Sequence, residues 1–150
     1  MKTVKLLLVD DEAEFVDTLK ARLALRDLDA TVARDGDEAL AAVEQEEPDV
    51  IVLDLKMPGI DGIEVLRRVK QAYPHVEVIV LTGHGSKKDE ETARGLGAFD
   101  YLQKPVDLEM LVPQITGAFR RRMKKLESLS MAVAFAEAGD FERQASGGLP

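Results

Sequence analysis

The strongest constraint on the fold is an alternation: five short apolar runs, each followed by a segment with helical periodicity. The runs are Lys5–Val9, Ala30–Ala33, Val50–Leu53, Glu77–Leu81 and Phe99–Gln103. After the first, Phe15, Val16, Leu19 and Leu23 share one helical face; a more polar helix spans Asp37–Gln45 around Leu40 and Val43. Ile63, Leu66 and Val69 mark a third helix, closed by Tyr73-Pro74, and Lys88–Leu96 is a weak, polar fourth. Asp107 reads as the N-cap of a last helix with Leu108, Leu111, Val112, Ile115 and Phe119 along its stripe. Alternation at this spacing calls for a parallel sheet with helices on both faces and right-handed crossovers. For five strands the expected class is α/β, doubly wound, in the flavodoxin-like order 2-1-3-4-5.

That order brings the C-terminal ends of strands one, three and four together, and ligands bind at such a rim. Val50–Leu53 delivers Asp54 there, before a loop broken by Met57-Pro58-Gly59 and Asp61-Gly62. Strand one delivers Asp10 and Asp11, strand four Thr82 and strand five Lys104. Singly, each has a plainer role: Asp10 or Asp11 as a helix cap, Asp54 and Thr82 as turn residues, Lys104 as a surface lysine. Together they form a chemical set. Three carboxylates crowded at one rim repel, and a hard divalent cation resolves the conflict. Few protein ligands, all oxygen, suit Mg²⁺, which usually accompanies a phosphoryl group. A carboxylate nucleophile, a hydroxyl donor and an ammonium complete what phosphoryl transfer needs.

Composition narrows the class further. The chain of 150 residues is one domain with a short appendage, and it has no cysteine for disulfides, thiolate metal sites or thiol nucleophiles. A net charge of −8 argues against generic nucleic-acid binding, so no direct DNA contact is expected. Neither a signal-peptide pattern nor an apolar run of about 20 residues is present, and a cytoplasmic location is expected.

The segments LLLVDDE, VIVLDLKMPGIDG, VIVLTGHGS and AFDYLQKPVD resemble the receiver domain of bacterial two-component response regulators, from Lys5 to about Arg122. The resemblance implies that Asp54 accepts a phosphoryl group from the phosphohistidine of a sensor histidine kinase or a histidine phosphotransfer protein. It implies Mg²⁺ on Asp11, Asp54 and the Lys56 backbone carbonyl, with Asp10 assisting. Thr82 and Lys104 would contact the phosphate, and Tyr101 would turn inward as Thr82 moves. The Lys104-Pro105 bond would be cis. The implied role is a signalling switch for a downstream protein target, not an enzyme; a phosphorelay carrier and a receiver cut from a longer regulator are the alternatives. A phosphatase with an aspartyl-phosphate intermediate would want a carboxylate at position 56, which is Lys.

Residues 1–122 are read as the receiver and 123–150 as a helical extension with a loose tail and no complete output domain. Pro113, with Gly117 beyond it, predicts a kink or a late helix start near Val112. The basic run Arg120-Arg121-Arg122, Lys124-Lys125 reads as a solvated helix end. Leu126, Leu129, Val133 and Ala136 suggest a short seam for a homodimer, and residues 132–145 faintly resemble the start of a tetratricopeptide unit. Gly139, Gly147 and Gly148 suggest loose final residues, and His84 is read as an exposed loop residue.

Overall fold

The computed structural model describes residues 3–147, with side chains described through residue 139. Strands β1 (Leu6–Val9), β2 (Ala30–Ala33), β3 (Val50–Leu53), β4 (Glu77–Thr82) and β5 (Asp100–Gln103) form one parallel sheet. Its order is β2-β1-β3-β4-β5, as the alternation predicts. Helices α1 (Ala13–Ala24), α2 (Gly36–Gln45), α3 (Gly62–Ala72), α4 (Lys87–Gly95) and α5 (Leu108–Gly147) link or follow the strands.

Side chains of a strand alternate between faces, and the two cores follow that alternation. Leu7, Val9, Ile51, Leu53, Val78 and Val80 point to the face covered by α2, α3 and α4 through Val43, Val65, Leu66, Val69 and Ala93. Leu6, Leu8, Val50, Val52, Ile79 and Leu81 meet Val16, Leu19 and Leu23 of α1 and Leu111, Ile115 and Ala118 of α5. Burial on both faces explains why the central strands are continuously apolar.

Local chemistry sets the element starts. Ser86 and Asp89 exchange side-chain hydrogen bonds with each other's backbone N–H, a capping box that begins α4 at Lys87. Gly62 begins α3 because a Cβ there would lie 2.5 Å from Leu55 Cα; only glycine lets the helix come so close to the loop after β3.

The C-terminal helix departs from the sequence reading. It starts at Leu108, not near Val112, and carries Pro113 inside it. Pro113 lies only two turns in and is exposed, so the Glu109 carbonyl it leaves without an N–H partner sits on a helix face open to water. The basic run is not a helix end either, for α5 continues to Gly147 through Gly139. Arg122 is buried and pairs with Asp49 at 2.6 Å and Glu47 at 2.9 Å, while Lys125 pairs with the buried Glu77. These pairs fasten α5 to the strand ends opposite the acidic rim. One unbroken helix through 132–145 leaves no helical hairpin of the tetratricopeptide kind. Gly148 lies outside the described residues. Among those described, no helix is long and apolar enough to cross a membrane.

Candidate functional site

The sheet's last rungs aim the rim residues. Asp10 N–H donates to the Ala33 carbonyl at 3.1 Å, Asp54 N–H to Val9 at 2.9 Å, and Lys104 N–H to Thr82 at 3.0 Å. Each side chain is thus held by a backbone that still belongs to the ladder. The Lys104-Pro105 peptide bond is cis.

Asp10 and Asp54 are 4% and 3% exposed, so two carboxylates stand nearly out of water. Lys104 Nζ lies 2.7 Å from Asp10 Oδ2, 3.0 Å from Glu12 Oε1 and 3.6 Å from Asp54 Oδ2. The ammonium also sits 4.2 Å above the centre of the Phe15 ring, an attractive position for a cation. Burial raises the Asp10 carboxyl above its ordinary value, although the hydrogen bonds from Lys104 and the Glu12 N–H draw it back. For Lys104, burial acts downward but is outweighed by Asp10 and Glu12, which hold the ammonium above its ordinary value. Lys104 therefore remains a fixed positive charge.

Asp54 Oδ1 accepts from Lys56 N–H at 3.3 Å, and the Lys56 ammonium pairs with Asp89 at 3.4 Å. Thr82 is fully buried, and its Oγ1 accepts from His84 N–H at 3.5 Å. His84 itself is exposed. Tyr101 is turned inward at 7% exposure, and its hydroxyl finds no hydrogen-bond partner among the described residues.

Carboxylate oxygens of Asp10, Glu12 and Asp54 all lie within 4.8 Å of one another. An all-oxygen, anionic set of this size fits a hard divalent cation. Asp11 is exposed and is not in that group, whereas Glu12 is, and sequence reasoning did not choose it. As the N-cap of α1, Glu12 makes no capping bond with its side chain, which reaches Lys104 instead. The signal was present in LLLVDDE, but nothing in the spacing says which acid folds back.

The family model of the response regulator receiver domain matches residues 6–116. The chain is 41% identical over 118 residues to the transcriptional regulatory protein TrcR of Mycobacterium tuberculosis, covering 79% of this chain and 46% of that protein. It is 34% identical over 125 residues to the DNA-binding transcriptional regulator NtrC of Salmonella typhimurium, covering 83% of this chain and 27% of that protein. A receiver domain crystal structure from Clostridium thermocellum superposes with a TM-score of 0.76 at 36% identity, over 82% of this chain and 98% of that one. The chain thus spans less than half the length of either regulator. The second regulator's name does not fit the expectation of no direct DNA contact. That name describes the whole of the second regulator, of which this chain covers 27%.

Proposed function

The chain belongs to the response regulator receiver family, and from that premise we propose that Asp54 is its phosphoacceptor. The donor is the phosphohistidine of a sensor histidine kinase or a histidine phosphotransfer protein. A carboxylate oxygen of Asp54 attacks phosphorus, the phosphorus–nitrogen bond breaks, and the imidazole leaves with the electron pair. The observation that carries this reading is Asp54 itself, 3% exposed at a strand end with the half-buried Lys104 3.6 Å away.

Asp10, Glu12 and Asp54 would hold Mg²⁺, with Asp11 and the Lys56 carbonyl as the further ligands that the family resemblance implies; when bound, the ion supplies positive charge against the phosphoryl oxygens. Lys104 supplies the remaining counter-charge from the protein. The Thr82 hydroxyl donates to a phosphoryl oxygen, a charge-assisted bond it gains only by moving toward it. The role is a signalling switch read by a downstream protein, with relay of the group to a second histidine as the alternative. Transfer of label from an autophosphorylated histidine kinase, lost on chelating Mg²⁺, tests the reading.

Residues 1–122 serve as the receiver, and the rest of α5 projects beyond it. Leu129, Met131, Val133 and Phe135 of that projection are all exposed. A helix apolar on more than one side is stable only when covered. The proposed cover is a second copy of the same helix.

A further inference from the structure

Gly85 lies in the loop between β4 and α4, three residues beyond Thr82. Its backbone is not in the left-handed region, so the main chain there would accept any side chain. Space is what forbids one. A Cβ at Gly85 would lie 1.5 Å from the Tyr101 hydroxyl oxygen, 2.8 Å from Tyr101 Cζ and 2.8 Å from Thr82 Cγ2. The first distance is that of a covalent bond, and no shift of a few tenths of an ångström relieves it. The phenol hydroxyl occupies the place a side chain would take.

We propose that Gly85 is the positioning residue for Tyr101: its missing side chain is the slot that lets the ring turn inward beside Thr82. Any larger residue there holds the ring out, on the face formed by α4, β5 and α5. The inward placement is finely balanced. Burying the ring is favourable, but the buried hydroxyl has no hydrogen-bond partner among the described residues, and an unpaired polar group opposes burial. A single methyl group is then enough to decide the rotamer. The neighbouring Gly83 is different, since a Cβ there would meet only Lys104 carbons at 3.8 Å, an ordinary contact. This inference rests on the receiver reading for its consequence, because Thr82 and Tyr101 are the pair that would carry the switch, but its geometry is independent of phosphorylation.

The chain has two tyrosines and no tryptophan, so Tyr73→Phe leaves Tyr101 as the sole emitter of tyrosine fluorescence. In that background, Gly85→Ala is expected to raise the acrylamide quenching constant several-fold, and Gly83→Ala to leave it unchanged. Unchanged quenching in a Gly85→Ala protein with native circular dichroism would overturn the proposal. Should Gly85→Ala fail to fold, adding Tyr101→Ala is expected to restore the fold by removing the obstacle, and failure to do so counts equally against it. Acetyl phosphate labelling of the Tyr73→Phe protein is read separately; its absence speaks against Asp54 as acceptor, not against the slot.

Discussion

Lys104 is held closer to Asp10 than to Asp54, 2.7 Å against 3.6 Å. The ammonium is therefore tied first to a neighbour of the proposed acceptor and keeps reach toward whatever forms on Asp54. Removing it leaves three carboxylates within 4.8 Å with no fixed cation among them. Lys104→Ala is expected to cost about 3 kcal/mol, the low end for a broken buried pair because Glu12 stays in water. In urea titrations, millimolar Mg²⁺ should recover part of that loss relative to EDTA. Equal losses in both media would count against a cation site here.

The opposite pole makes a stability prediction that leaves the chemistry alone. Arg122 is 6% exposed and bonded to Asp49 and Glu47. Arg122→Ala removes the charged partner of the Asp49 carboxylate, which keeps the Lys5 N–H at 2.8 Å, and is expected to cost about 3 kcal/mol. Urea denaturation measures the loss, and acetyl phosphate labelling of the still-folded fraction should be unaffected.

Burial raises the Tyr101 phenol above its ordinary value, with the charges of Asp89, Glu90 and Asp54 adding to the shift. The neutral ring is thus favoured inside. The stability it contributes is fully present below the ordinary phenol value and is lost as pH rises through the raised one. Absorbance titration of the Tyr73→Phe protein should show a phenolate forming later than in free tyrosine. A midpoint at or below the free value would contradict the buried placement.

Leu129, Met131, Val133 and Phe135 are exposed in a helix whose last ion pair to the sheet, among the described residues, is Lys125 to Glu77. Deleting the chain after Lys125 is expected to turn a dimer into a folded monomer, read by size-exclusion chromatography with light scattering. A monomer of the undeleted 150-residue chain would remove the self-association.

Much of this was readable in the residues themselves. Val50–Leu53 stands where its apolar run puts it, because a strand buried on both faces has no polar alternative pattern. Asp10, Asp54, Thr82 and Lys104 followed from strand ends and strand order, whereas Glu12 did not. What stayed hidden depends on contacts far apart in sequence. Lys125 reads as one more cation in a basic run until β4 brings Glu77, 48 residues earlier, against it. Gly85 reads as loop punctuation until β5 lays Tyr101 over it. Pro113 did not delay the last helix, because Asp107 already starts it: its carbonyl accepts from Met110 N–H and Leu111 N–H ahead of the proline.

The central claim is that Asp54 takes the phosphoryl group. Intact-mass measurement after incubation with acetyl phosphate and Mg²⁺ tests it most directly. The account predicts one phosphoryl group on the unaltered chain and none on a folded Asp54→Asn variant. Stoichiometric labelling of that variant would contradict it.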